Sequence, residues 1–201
     1  MVMVVGTCAV LDPPGADDYI DCACHLGKVM MIVTMGRFQP PHKGHEYLLE
    51  QLQRLAEEHQ TYAYVAVSPT TGGKDNPLTH DLRVQLLEKM CMQAGSRVKV
   101  LADRLKTPIA LLQMCLKADP DVIMIVGEDR APGLQMYVDK IEGARVRIFS
   151  LTRVGEGKWQ GSSIRALARQ RPAPRQKLAR LLPAILVGDG DKVVKALRRV
   201  R

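Results

Sequence analysis

Short, apolar, β-branched runs alternate with longer stretches of helical periodicity along most of this chain, and few folds satisfy that alternation. Val29 to Thr34 reads as a buried strand. From Lys43 to about Glu58 the apolar residues Tyr47, Leu48, Leu52 and Leu55 share one helical face, with glutamates and glutamines largely opposite. The rhythm then repeats. Thr61 to Ser68 is rich in strand formers, Thr79 to Ala94 is helical with Leu82, Leu86, Leu87 and Met90 along it, and Arg97 to Leu101 is a short strand. Thr107-Pro108 is a favourable helix start, a capping threonine with proline in the first turn. Asp121 to Val126 is the clearest strand, followed by a helix from about Pro132 to Ile141, a strand Arg145 to Leu151 and helices from Ser162 onward.

Uninterrupted apolar strands joined by helices cannot pair antiparallel through tight turns. They require crossover connections and burial on both faces. The expected architecture is therefore α/β: a Rossmann-like, doubly wound parallel sheet of about five strands with helices on both faces. In such sheets ligands bind at the carboxyl ends of the strands, where the strand order reverses. The segments with chemical character lie after predicted strands: Gly36 to His45, Ser68 to Thr79, Gly127 to Arg130 and Gly155 to Arg165. The reading divides the chain into an extension over residues 1–27, a domain over 28–170 and a basic helical segment over 171–201.

Composition restricts the function classes. No apolar run approaches the roughly 20 residues that a helical membrane span needs, so no membrane contact is expected. The apolar beginning lacks a basic leading region and is soon followed by Asp17, Asp18 and Asp21, unlike a secretory leader. Five cysteines (8, 22, 24, 91 and 115) do not form a disulfide framework and favour a reducing, cytoplasmic setting; the alternative setting is a virion or organelle assembly. Cys22-Ala-Cys24-His25 resembles a fragment of a metal site, but no second ligand pair follows at a suitable spacing. No protein metal site is assigned.

Formal net charge is +8, and it is unevenly placed. Residues 1–160 carry 18 Lys plus Arg against 19 Asp plus Glu, whereas residues 161–201 carry 11 against 2. A basic carboxyl-terminal stretch can contact nucleic acid or an assembly partner; it can equally be the solvated face of short helices.

The most informative segment is Gly36-Arg-Phe-Gln-Pro-Pro-His-Lys-Gly-His45. With a helix starting near Lys43, His42 and His45 face the same way beside the open N–H groups and partial positive charge of a helix amino end, a setting that attracts an anion. Gly36 permits close approach of backbone to a ligand, and Gly44 leaves room above the first turn.

This segment resembles the signature of the HxGH nucleotidylyltransferase superfamily, most sharply nicotinamide-mononucleotide adenylyltransferases of the archaeal and bifunctional bacterial type. Gly161-Ser-Ser-Ile-Arg165 is similar to the family's Ser/Thr-x-x-Arg segment. Asn76-Pro-Leu-Thr79 followed by Arg83 is similar to its Asn-Pro-Phe-Thr and downstream arginine, and Gly127-Glu-Asp129 to the Gly-x-Asp after the fourth strand. The likeness runs from about Met30 to Leu167. Val126-Gly-Glu-Asp-Arg130 and the later Ser-Ser-Ile-Arg-Ala-Leu-Ala also resemble viral and phage-encoded members.

The resemblance implies transfer of AMP from ATP to a phosphorylated acceptor, with nicotinamide mononucleotide the first expectation and NAD and pyrophosphate the products. It implies His42, His45 and Arg165 as catalytic residues. Gly36, Arg37, Phe38, Lys43, Gly44, Gly127, Asp129, Ser162 and Ser163 would bind the nucleotide, and Asn76, Arg83 and Arg130 the acceptor. Arg83 reads equally as a helix-surface arginine, and Asp129 as an exposed loop residue. Magnesium would arrive on ATP, and a homo-oligomer is expected. Two alternatives stand beside this reading: a cytidylyltransferase-type enzyme with another acceptor, and a related fold recruited as a structural or binding part of a larger assembly. The loop Ser68-Pro-Thr-Thr-Gly-Gly-Lys-Asp75 departs from the archaeal-type pattern where the acceptor would be recognised.

Overall fold

In a computed structural model of the 201-residue chain, residues 30–101, 103–143, 145–151, 160–170 and 172–199 are described. The leader, with Cys8, Cys22, Cys24 and His25, and the stretch 152–159 lie outside the described residues. Five strands, β1 (Met31–Gly36), β2 (Ala63–Val67), β3 (Val98–Leu101), β4 (Asp121–Gly127) and β5 (Arg145–Leu151), form one parallel sheet in the order β3-β2-β1-β4-β5.

Successive residues of the central strands point to opposite faces, so each strand supplies two cores. Ile32, Val65 and Ile125 pack on one side with α1 (Lys43–Glu58), α2 (His80–Ala94) and α5 (Gly161–Arg169). Val33, Tyr64 and Met124 pack on the other with α3 (Pro108–Ala118) and α4 (Ala131–Val138). The connections after β1 and β2 thus lie on one face and those after β3 and β4 on the other. This is the doubly wound arrangement expected from the sequence.

The element starts follow local chemistry. Thr79 accepts from Leu82 N and Thr107 from Ala110 N, each capping the helix that follows. The helix expected over 132–141 is shorter, Ala131–Val138, with Gly143 at φ 75° in the turn beyond it. The basic carboxyl-terminal stretch is folded onto the domain. Leu178 of α6 (Arg175–Leu181) and Val193 and Leu197 of α7 (Gly190–Arg199) are buried in the same core as Ile32 and Val65.

The sheet order reverses between β1 and β4, which pair through Thr34 and Ile125; the Thr34 hydroxyl donates to the Ile125 carbonyl at 2.8 Å. The strands therefore end at Gly36 and Gly127 on neighbouring positions, opening a crevice at the carboxyl edge.

Candidate active site at the carboxyl edge of the sheet

A cavity of about 420 Å³ occupies that crevice. Eleven expected site residues line it: Gly36, Arg37, Phe38, His42, Gly44, His45, Gly127, Asp129, Arg130, Ser162 and Arg165. Lys43, Asn76, Arg83 and Ser163 do not. Lining residues with no site role assigned from sequence include Gln39 and Gly161, within the motif segments, and Tyr47 and Gln160, outside them.

The loop from β1 to α1 is held by packing and by strain. Phe38 has φ 50°, in the left-handed region, and its ring is buried beneath Gly36. A Cβ at position 36 would meet that ring at 2.7 Å, so glycine is needed there for contact inside the loop as well as for access to a ligand. The Phe38 ring also supports His45, with centroids 4.6 Å apart. Phe38 thus acts from below the imidazole.

The two histidines form a reciprocal cap at the start of α1. His42 Nδ1 accepts from Gly44 N, and His45 Nδ1 accepts from His42 N, both at 3.2 Å. An imidazole nitrogen that accepts from a backbone N–H carries no proton, so the neutral ring holds its proton on Nε2. The cap therefore selects one tautomer for both rings, which stack with centroids 3.8 Å apart. Burial, then the neighbouring His42, lowers the His45 pKa well below the ordinary histidine value. At neutral pH His45 is an uncharged N–H donor.

Opposite lies the amino end of α5. Its N-cap residue Gln160 makes no side-chain cap among the described residues, and Gly161 and Ser162 of its first turn line the cavity. A Cβ on Gly161 would lie 2.6 Å from the Gln39 carbonyl, so glycine lets this helix begin against the β1–α1 loop. Arg165, with a side chain only 10% exposed, donates through Nη1 to that carbonyl at 2.7 Å and through Nη2 to Asp75 Oδ1 at 2.8 Å. Asp129 folds back towards Gly127, where an added Cβ would lie 2.8 Å from its carboxylate. It is the only carboxylate among the described cavity residues, against Arg37, Arg130 and Arg165. The described lining is therefore more basic than acidic.

The acceptor role expected of Arg83 is corrected. Its side chain is fully buried and donates to the carbonyls of Arg37, Ser68, Thr70 and Thr79 at 2.7 to 3.2 Å. Burial lowers its pKa to about 10, still protonated at neutral pH. Arg83 ties the β1–α1 and β2–α2 loops together, with four of its five N–H donors on these carbonyls and the side chain buried beneath them. Gln39 makes a second tie: its side-chain Nε2 donates to Leu78 O at 3.0 Å and its Oε1 accepts from Leu78 N at 2.9 Å. A glutamine beside a histidine motif gives no signal of that pairing, which needs two loops 39 residues apart to meet. Asn76 lies in the joined loop, and its Oδ1 is buried without a partner among the described residues.

Part of the basic carboxyl-terminal charge is likewise internal. Arg169 donates to Lys74 O at 2.6 Å, and Arg198 donates to Ala168 O and Gln170 O at the end of α5. Lys177, Arg180 and Lys195 are exposed.

A doubly wound parallel sheet with a cavity rich in basic side chains at its switch point is the architecture of nucleotide-handling α/β proteins. The cytidylyltransferase-like family model matches residues 33–152, more than half of the chain, and the chain belongs to that family. No curated protein matches the sequence. Among solved structures, the nicotinic acid mononucleotide adenylyltransferase of Plasmodium falciparum complexed with NaAD is 10% identical; the likeness covers 82% of this chain and 95% of that one at a TM-score of 0.58. The same enzyme complexed with APC gives 12% identity and a TM-score of 0.56 over the same shares. The bifunctional NMN adenylyltransferase/ADP ribose pyrophosphatase of Francisella tularensis, complexed with AMP and a manganese ion, is 16% identical over 85% of this chain and 52% of that one, at a TM-score of 0.51. At these identities the likenesses establish the fold. With the family model they place the chain in the HxGH nucleotidylyltransferase superfamily.

Two outcomes follow from the site. Arg83→Lys retains the charge but cannot serve four carbonyls, and should cost about 2 kcal/mol or more in denaturant unfolding. For His45, the unfolded side chain binds a proton below about pH 6.5 while the folded one stays neutral to lower pH. Stability should thus fall as the pH drops from 6.5 towards the folded value. His45→Gln should show a shallower acid loss in that window in parallel thermal melts.

Proposed function

We propose that this chain is a nucleotidylyltransferase that transfers AMP from ATP to the phosphate of an acceptor mononucleotide, nicotinamide mononucleotide being the first candidate. The carrying observation is the reciprocal histidine cap, which sets two imidazoles in the wall of the cavity that Arg165 and the amino end of α5 also line. Ligands named for the solved neighbours, NaAD and AMP, support an adenine nucleotide in such a fold. The family model's name supports retaining a cytidine nucleotide as the second reading.

In this reaction an acceptor phosphate oxygen attacks the α-phosphorus. The bond from that phosphorus to the oxygen bridging the β-phosphorus breaks, and pyrophosphate leaves with the bonding electrons. The attacking phosphate is already ionised at neutral pH, so no strong base is needed and the rate rests on positioning and charge stabilisation. His42 and His45 donate to oxygens that gain charge in the transition state. Arg165 and the first turn of α5 hold the β- and γ-phosphates. Arg37 and Arg130 supply further positive charge.

Magnesium, carried by the triphosphate oxygens, would neutralise phosphate charge. The donor set suits a metal held chiefly by the nucleotide, since Asp129 is the sole carboxylate among the described residues that line the cavity.

The test is pyrophosphate release with magnesium, each of the four nucleoside triphosphates and a panel of phosphorylated acceptors. ATP with nicotinamide mononucleotide should turn over, and His45→Ala should lower kcat on the order of 10²-fold. Turnover with CTP alone would favour the second reading. No turnover with any pair, together with equal ATP binding by wild type and His45→Ala, would overturn the catalytic assignment.

A further inference from the structure

Arg165, assigned above to the triphosphate, is already engaged by an anion belonging to the chain itself. Its Nη2 donates to a single Asp75 oxygen, while its Nε is buried and has no partner among the described residues. Among the described residues the Asp75 side chain is held at this one point, and it is 75% exposed.

We propose that Asp75 is an internal stand-in for phosphate that occupies Arg165 until a triphosphate displaces it, and that its departure loosens the turn 72–76. The proposal rests on the reading of Arg165 as a triphosphate ligand. A triphosphate outcompetes this carboxylate because it carries more charge and its oxygens can engage Nη2 and Nε together, the forked geometry that the single Asp75 contact leaves unused. Release costs Asp75 little. An exposed carboxylate is readily solvated, and such pairs contribute at most about a factor of five to an equilibrium.

The turn is built to respond. Gly72 and Gly73 sit at φ 92° and 68°, and the turn closes through Gly72 N donating to Asn76 O at 2.8 Å. A Cβ at either glycine would meet nothing within 4 Å, so no packing pins that side. Beyond the turn, Leu78 is fixed on Gln39 and Arg83 holds the Thr70 and Thr79 carbonyls. Between these anchors, Arg165 to Asp75 and Arg169 to the Lys74 carbonyl connect the turn to α5. Loss of the first leaves the second. Both arginines lie on one face of α5, four residues apart, so triphosphate arriving at that helix is coupled to a loop in the segment between β2 and α2.

The experiment uses the full chain with inorganic tripolyphosphate and magnesium. Titration calorimetry should show Asp75→Asn binding tripolyphosphate about two- to fivefold more tightly than wild type. Tryptic cleavage after Lys74 should accelerate when tripolyphosphate is added to wild type, and should not change on its addition to Asp75→Asn. Equal or weaker binding by Asp75→Asn, with wild-type cleavage at Lys74 indifferent to tripolyphosphate, would overturn the proposal while binding lost in Arg165→Ala kept the site assignment. If wild type and Asp75→Asn both fail to bind tripolyphosphate, the triphosphate reading of the cavity falls and the stand-in with it.

Discussion

The backbone carbonyls of Arg37 and Gln39 point into the protein, and each is held by a buried guanidinium. Arg83 donates to the first at 2.7 Å and Arg165 to the second at 2.7 Å. A loop of this sequence would otherwise have several conformations open to it, since Phe38 must adopt a left-handed backbone and the carbonyls would prefer water. Charge-assisted hydrogen bonds from two arginines replace that water. With the loop so fixed, Phe38 lies beneath His45, the chain enters α1 at the angle that lets the histidines cap each other, and the Gln39 side chain reaches Leu78. Each feature of the cavity depends on those two carbonyls being turned inward.

The same arrangement explains why an ordinary helix cap can serve chemistry. Capping by serine or aspartate spends the side chain on the helix. Histidine has a second nitrogen on the far side of its ring, so one atom completes the helix while the other carries the proton of the neutral ring. Desolvation keeps His45 neutral, and a neutral ring with Nδ1 accepting has its proton on Nε2. Stability and reactivity therefore draw on different atoms of one side chain.

Much of the fold was legible because the hydrophobic pattern changes period at each junction. The uninterrupted run Val122 to Val126 is buried on both faces, as its residues require, and Thr79 and Thr107 cap the helices they precede. His42, His45 and Arg165 were legible as a constellation because they lie in short segments with distinctive neighbours. Arg83 was not. Its helical spacing fits an exposed or ligand-facing side chain equally well, and only the approach of two loops shows that it is buried on their carbonyls. Gln39 and Gly161 were missed for a related reason: one pairs with Leu78 and the other makes room for the Gln39 carbonyl, contacts that exist only after the sheet has brought distant loops together. The carboxyl-terminal arginines illustrate the converse, since a count of charge cannot separate Arg198, spent on the end of α5, from exposed Lys195.

The cap sets the protonation of both imidazoles, and long-range ¹H–¹⁵N correlation spectra of histidine-labelled protein at neutral pH read it directly. Nδ1 should be unprotonated and Nε2 protonated in the neutral rings of His42 and His45, with His45 uncharged. A proton on Nδ1 of either neutral ring, or an imidazolium at His45, would contradict this assignment.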